Sequence, residues 1–287
     1  MTTIARRACA KLNLGLEVLK KRDDGFHDLS TIFQEIEWCD ALTLRKAPQL
    51  TLECEASAIP DEDNLALAAA KALADHLGIP PDAAIHLRKH VPMAAGLGGA
   101  SSDAAHTLLG LVDLWQVSIA PSDLERIAAR LGSDVPFFLT GGTAHGTGTG
   151  TTLAPLPTPA TAFVVIAPDI TIPNKTQELY RRLIPGDWSD GSSVRKQADR
   201  LRQGFPLDPT LCVNAFARAL REIAPEVGNL HDAARANGIE GLHLSGAGPS
   251  HYVIEPDPER AVRIAASFAA ILGDRGSVKL CRPVVRG

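Results

Sequence analysis

The sequence predicts an α+β protein of two domains, and three observations carry that reading. Segments with strand alternation and segments with helical periodicity interleave irregularly, without the regular strand–helix repeat of a doubly wound sheet. A proline-rich break, Ala154-Pro155-Leu156-Pro157-Thr158-Pro159, separates residues 1–155 from residues 156–287. The chain has 287 residues, 45% of them apolar and 22% charged, which suits roughly two domains of ~150 residues, each able to bury its own core.

The first element is a strand of strict alternation, with Ala10, Leu12, Leu14, Leu16 and Val18 on one face and Cys9, Lys11, Asn13 and Glu17 on the other. Asp24-Gly25 marks a turn next to the basic run Lys20-Lys21-Arg22, which reads as a solvated hairpin tip, and β-rich sequence continues from Phe26 to Leu44. A helix is expected from about Asn64 to Leu77, closed by Gly78 and the Pro80-Pro81 pair. A strand around Ile85–Val91 then runs into a glycine-rich loop, and the loop into a helix with the apolar stripe Ala104, Leu108, Leu111, Val112 and Trp115. Ser122-x-x-Glu125 reads as a capping box opening another helix, which stops at Gly132. Past the proline-rich break, Phe163–Ala167 is a short buried strand, and a helix starts at about Thr176. After a polar connection around Asp187–Ser193, strands at Gly241–Leu244, Tyr252–Ile254 and Val278–Cys281 surround a helix near Glu259–Leu272.

Several function classes are disfavoured by composition. A formal net charge of -4 offers no broad positive field for nucleic acid. The five cysteines (Cys9, Cys39, Cys54, Cys212 and Cys281) are odd in number and form no C-x-x-C pair, which argues against a disulfide framework and a zinc site. That pattern suits a reducing, cytoplasmic setting. His86 and His90 stand four apart, but in a segment that alternates like a strand, so an exposed strand face is expected and no metal site. Arg6-Arg7 is followed by Lys11 and Asn13 where an export signal needs unbroken apolar sequence, and no run reaches the ~18 apolar residues of a membrane span.

The chemistry-bearing stretch is Pro92-Met93-Ala94-Ala95-Gly96-Leu97-Gly98-Gly99-Ala100-Ser101-Ser102-Asp103-Ala104-Ala105. Three glycines in four residues let the backbone curl around an anion without Cβ obstruction. A helix N-terminus follows, whose free N–H groups and dipole favour phosphate oxygens. Ser101 and Ser102 can cap that helix, donate to a phosphate or help hold Mg²⁺. The terminal G-K-[ST] of a Walker A loop is absent. Gly146-x-Gly148-x-Gly150 has no helix signal behind it and reads as a glycine hairpin.

This loop resembles the ATP-binding motif of the GHMP kinases, the superfamily of galactokinase, homoserine kinase and mevalonate kinase. Three more blocks follow the family order. Ala10-Lys11-Leu12-Asn13-Leu14 with Asp24-Gly25-Phe26-His27-Asp28-Leu29 is similar to the N-terminal signature of one branch. Leu131-Gly132-Ser133-Asp134-Val135-Pro136-Phe137-Phe138 is similar to its catalytic aspartate segment, and Leu244-Ser245-Gly246-Ala247-Gly248-Pro249-Ser250 to the C-terminal glycine motif. The resemblance implies an N-terminal domain like the second domain of ribosomal protein S5 and a ferredoxin-like C-terminal domain. It also implies ATP as co-substrate with Mg²⁺, and phosphorylation of the 2-hydroxyl of a cytidine diphosphate alcohol, 4-diphosphocytidyl-2-C-methylerythritol, on the non-mevalonate route to isoprenoid precursors. Partners are then small molecules, with no nucleic acid or membrane, on a monomer or weak homodimer.

By the same resemblance Asp134 takes the proton of the reacting hydroxyl, and Lys11 keeps that carboxylate ionised or offsets charge at the γ-phosphoryl. Pro136 is expected to hold Val135 out of helical conformation, leaving Asp134 on a fixed turn. Pro92 to Ser102 bind ATP. Asn13 contacts the erythritol part, Phe26 and Tyr180 sandwich the cytosine, His27 bonds the base edge, and Thr176 shares a helical face with Tyr180. Tyrosine is more usual in the family at 26 and phenylalanine at 180, so stacking survives while hydroxyl contacts differ. The glutamate that binds metal in some members has no counterpart, leaving Mg²⁺ to ATP, water and the serines. Rival readings are a GHMP kinase for a sugar, homoserine or mevalonate derivative, and a silent ligand sensor on the same fold. The cytosine residues argue against the first, and the presence of Lys11 and Asp134 against the second.

Overall fold

The computed structural model describes residues 2–55 and 64–286, and it is a mixed α+β structure. Contacts gather the chain into two compact units, each assembled from separate stretches of sequence. Two long strands, β1 (Thr3–Lys21) and β2 (His27–Arg45), contribute residues to both.

The first unit comprises Met1–Ala10, Trp38–Met93 and Gly98–Gly141. Here β3 (Thr51–Cys54) runs parallel to β4 (Ala84–Arg88), after the intervening helix α1 (Leu65–Leu77), as a parallel pair requires. The other edge of β4 pairs antiparallel with Ala41–Arg45 of β2. Leu42, Leu44, Ile85 and Leu87 are buried at alternate positions. The Asn64 side chain accepts from the amide of Ala66 at 2.9 Å to start α1, and Gly78 ends it in the left-handed region. Three further helices complete the unit: α2 (Gly99–Trp115), α3 (Pro121–Leu131) and α4 (Val135–Thr140). Every residue from Ser102 to Leu108 of α2 is buried, so the expected stripe is part of a wider covered surface.

Three expectations fail in this unit. The helix α3 starts one residue early, with Ala120 at its cap and Pro121 first inside, and Ser122 makes no capping bond. Proline's fixed φ suits a first helical position and takes over the role assigned to the serine box. Likewise Pro136 does not keep Val135 from helix: Val135 is the first residue of α4 and Asp134 its cap, because proline is tolerated in a first turn. Finally, Cys9 and Cys39 form a disulfide, although the odd number and wide spacing of the cysteines argued against a disulfide framework. The strands bring together two cysteines that lie 30 residues apart in sequence.

The second unit comprises Lys11–Glu37, Ala94–Leu97 and Gly142–Gly287. Leu29–Gln34 of β2 pairs antiparallel with β5 (Thr143–Gly148), which turns back into β6 (Thr152–Pro155) as the expected glycine hairpin. A second sheet is built from β7 (Ala162–Pro168), β8 (His243–Leu244), β9 (His251–Glu255) and β10 (Gly276–Cys281). Its order is β10-β7-β9-β8 and every pairing is antiparallel. The helices are α5 (Lys175–Arg181), α6 (Ser192–Arg202), α7 (Ala217–Ile223), α8 (Glu226–Ala236) and α9 (Pro258–Leu272). Leu230 and Ala234 of α8 and Ile264, Phe268 and Leu272 of α9 pack with Val164, Ile166 and Val253 of the sheet, giving the ferredoxin-like layering. A second core seats Leu179 of α5 and Phe216, Ala219 and Leu220 around α7 against Leu16 and Val18 of β1.

Candidate active site

The glycine-rich loop leaves β4 and enters α2. Its backbone turns through the left-handed region at Ala94 (φ 52), Gly96 (φ 83) and Gly98 (φ 71). The first intrahelical bond runs from the Ser102 amide to the Gly98 carbonyl at 2.9 Å, so the amides of Gly99, Ala100 and Ser101 have no acceptor within the helix. That is the donor set an anion needs at the start of a 17-residue helix. Ala95 and Leu97 turn their side chains inward, while Met93 and Ala94 are exposed.

Within the second unit, residues 94–97 lie against the loop Ser245–Ser250. A Cβ placed on Gly96 would stand 2.5 Å from the Ser245 carbonyl oxygen and 2.9 Å from the Gly248 nitrogen, so only glycine fits. Ser245 Oγ donates to the Gly96 carbonyl at 3.2 Å and the Ser250 amide to the Ala95 carbonyl at 3.0 Å. A Cβ on Gly246 would come 3.1 Å from each of Lys11 Nζ, Asn13 Oδ1 and the Gly96 carbonyl. The Ser245–Ser250 loop therefore braces residues 94–97 and closes on Lys11.

Lys11 and Asn13 are 3% and 2% exposed, both on β1. The Lys11 amide donates to the Leu97 carbonyl at 2.8 Å, which ties its backbone to the loop. Its ammonium donates to Asn13 Oδ1 at 2.6 Å and stands 5.6 Å from the centre of the Phe33 ring. Asn13 Nδ2 donates in turn to Thr31 Oγ1 at 2.8 Å, and Tyr252 Oη holds the Asn13 carbonyl at 3.0 Å. A buried ammonium needs such fixed oxygens around it, and they in turn fix its position.

In the first unit, Ser101 Oγ lies 4.0 Å from where a Cβ on Gly132 would be, beside the segment that carries Asp134. Asp134 caps α4 through its backbone (φ -86, ψ -16), and its side chain makes no capping bond to that helix. Ser102 is fully buried and its hydroxyl faces His106 Nδ1 at 3.4 Å, whereas Ser101 is half-buried, and no serine side chain caps α2. Lys89, the residue after β4, donates to Asp40 Oδ2 and Asp103 Oδ2, each at 2.5 Å. Asp103 Oδ1 is buried with no hydrogen-bond partner among the described residues. Burial lifts the Asp103 carboxyl to about 7, with the Asp40 carboxylate adding to it and Lys89 opposing. This trio was not among the candidate residues read from the sequence. Its signal was present, since Asp103 lies inside the loop motif and a lysine precedes it.

The aromatic candidates gather unequally. His27 stacks on Tyr180, with ring centroids 4.4 Å apart and planes at 16°, and Trp188 flanks His27 at 5.7 Å. Tyr180 also meets the edge of Phe216 at 4.9 Å. Phe26 is 64% exposed at the turn and has no ring contact of this kind among the described residues. Burial and the nearby Lys21 charge depress the His27 pKa. Thr176 is exposed on α5 with Tyr180 four residues on. Trp188 is thus an aromatic neighbour the sequence reading did not include, since only the path from α5 to α6 shows where it goes.

The fold is that of a phosphoryl-transfer class, the GHMP kinases. Residues 64–142 match the GHMP kinases N terminal domain, and residues 199–273 the GHMP kinases C terminal domain. A homoserine kinase structure from Cytophaga hutchinsonii shares the fold at a TM-score of 0.75, with 18% identity, covering 100% of this chain and 96% of that one. Closer likenesses are more specific. The 4-diphosphocytidyl-2-C-methyl-D-erythritol kinase of Gloeobacter violaceus is 34% identical over 94% of this chain and 91% of its own. That of Salinibacter ruber is 37% identical over 87% and 89%. A crystal structure of a 4-(cytidine 5'-diphospho)-2C-methyl-D-erythritol kinase superposes with a TM-score of 0.82 at 32% identity, covering 98% of this chain and 100% of that one. The chain belongs to the 4-diphosphocytidyl-2-C-methyl-D-erythritol kinase family.

Proposed function

We propose that this chain transfers the γ-phosphoryl group of ATP to the 2-hydroxyl of 4-diphosphocytidyl-2-C-methyl-D-erythritol, a step in making isoprenoid precursors. The observation that supports the reading most is the close approach of Gly246 to both Lys11 Nζ and the Gly96 carbonyl, in a chain 32–37% identical to kinases named for that substrate. Residues 94–101 receive the ATP phosphates on backbone amides. Lys11, fixed by Asn13 and its own backbone, offsets charge at the transferred group. Asp134 orients the hydroxyl and accepts its proton, and Asn13 contacts the erythritol part. Mg²⁺, when bound with ATP, would neutralise phosphate charge. Of the two serines only Ser101 is exposed enough to assist it.

At the cytidine end, Tyr180 offers a ring face and His27 a base-edge donor or acceptor. Because His27 lies on that face, binding displaces it, and Phe26 closes over the base from its exposed position. Thr176 contacts polar groups of the same substrate. Residues 1–155 form the ATP-binding part and residues 156–287 the C-terminal part of a cytoplasmic enzyme, monomeric or weakly dimeric. None of the helices in the described residues is long and apolar enough to cross a membrane. A coupled assay with ATP tests the reading, comparing the cytidine diphosphate alcohol with galactose, homoserine and mevalonate. Saturable turnover of the cytidine substrate alone is expected, and equal turnover of an alcohol lacking the nucleotide would overturn it.

A further inference from the structure

Lys175 opens α5 after Asn174, which is in the left-handed region at φ 50. Its ammonium donates to two main-chain carbonyls, that of Ala94 in the phosphate loop and that of Gly248 in the bracing loop. Both acceptors are neutral, and among the described residues no carboxylate pairs with it. An ammonium has three donors, so one remains for a further acceptor. Ala94 itself is a non-glycine residue with φ 52, a conformation that persists only where its surroundings hold it. Burial pushes the Lys175 pKa down to about 8, and the neighbouring Lys11 charge lowers it further. A cation sits, in short, half dehydrated against the loop that receives phosphates, beside a second cation and without a counter-ion of its own.

We propose that Lys175 is a phosphate-binding and loop-positioning residue: it fixes the Ala94 turn and presents its remaining N–H to a phosphate oxyanion that supplies the missing counter-charge. This rests on the phosphoryl-transfer reading above and adds a residue to it. A neutral side chain of the same reach could brace two carbonyls at a lower desolvation cost, so the charge itself calls for an anion. The oxyanion belongs either to ATP or to the diphosphate of the cytidine substrate. Thr176 and Tyr180 follow on the same helix, so one short element carries both the cation and the proposed nucleoside contacts.

The test compares Lys175→Met, Lys175→Gln and Lys175→Arg with the wild-type chain. Calorimetric Kd values for MgATP and for CDP are measured separately, together with KM and kcat for both substrates. Lys175→Met and Lys175→Gln are expected to weaken one nucleotide by about 10- to 100-fold, the loss of a charge-assisted bond, while Lys175→Arg stays within about threefold. Loss confined to MgATP assigns the oxyanion to ATP, and loss confined to CDP assigns it to the substrate diphosphate. Lys175→Gln matching the wild type for both ligands would reduce the residue to a neutral brace and overturn the proposal. Should Lys175→Met fail to fold, the glutamine-to-arginine comparison decides alone. Wild-type binding of both nucleotides without turnover of the cytidine alcohol would sink the substrate assignment but not this one. Wild-type binding of neither would remove both.

Discussion

Single atoms decide the chemistry here, and two substitutions separate the proposed roles. Asp134→Asn keeps the shape of the side chain and leaves the loop amides intact, but removes the proton acceptor. Turnover should fall about 10²- to 10⁴-fold while the Kd for ATP stays within about twofold, as read from steady-state rates and nucleotide titration. A variant with near wild-type kcat would take Asp134 out of the mechanism. Phe26 has the opposite profile, since it lies far from the reacting groups in any reading that stacks it on cytosine. Phe26→Ala is expected to raise KM for the cytidine substrate by roughly 10-fold with ATP affinity unchanged, about the worth of one stacked ring. Loss of ATP affinity alone would show the aromatic site to be misassigned.

At the scale of elements, what could be read in the sequence was whatever local chemistry decides. The glycine loop, the hairpin at Gly146–Gly150 and the strands and helix near the C-terminus follow from turn residues and periodicity, and they stand where expected. The alternation of β1 correctly set Lys11 and Asn13 on one face, yet both faces from Cys9 to Val18 are buried, because coverage depends on what packs later in the chain. The starts of α3 and α4 were missed where proline competes with a serine box or with its own effect on the preceding residue. Long-range partners left no trace at all. The acceptors of Lys175 are carbonyls 81 and 73 residues away, and Cys9 meets Cys39 only through their strands. The trio of Lys89, Asp40 and Asp103 belongs here too, since it ties β2 and the residue after β4 to the second turn of α2. With Lys89 side-chain exposure at 8%, Lys89→Met should destabilise by about 3 kcal/mol, leaving two buried carboxylates without a cation. Adding Asp103→Asn should recover part of that loss in urea denaturation, because the remaining charge no longer faces another. No recovery in the double variant would mean that packing, not charge, holds the junction.

For the molecule as a whole, the histidines beneath the bracing loop set an acid limit on folding. His251 Nδ1 donates to the Pro249 carbonyl at 2.8 Å, which leaves Nε2 as the acceptor for His231 Nε2–H at 3.2 Å. His251 is 1% exposed, and burial followed by the His231 charge pushes its pKa down to about 3. Burial likewise takes His243 to about 4, with the Cys212 backbone opposing and His231 adding to the depression. The charges that bear on His251 are those of His231 on α8, His243 on β8 and Arg221 on α7, and each disfavours a proton there; Asp232 and Arg235 act on His231 in opposite directions. The folded chain therefore keeps both imidazoles neutral, while the unfolded chain protonates them near the ordinary value of 6.5. Between that value and about 3 for His251, or about 4 for His243, the unfolded state binds more protons and stability falls as pH falls. The loss is roughly 2 kcal/mol per group between pH 6.5 and pH 5, on top of whatever the carboxylates contribute. Urea denaturation at a series of pH values reads this slope directly. In His251→Gln the slope should drop by about the share of one group, because nothing at that position then titrates. An unchanged slope would mean that His251 takes up its proton as readily in the folded chain as in the unfolded one, with Nε2 giving up the bond it accepts from His231.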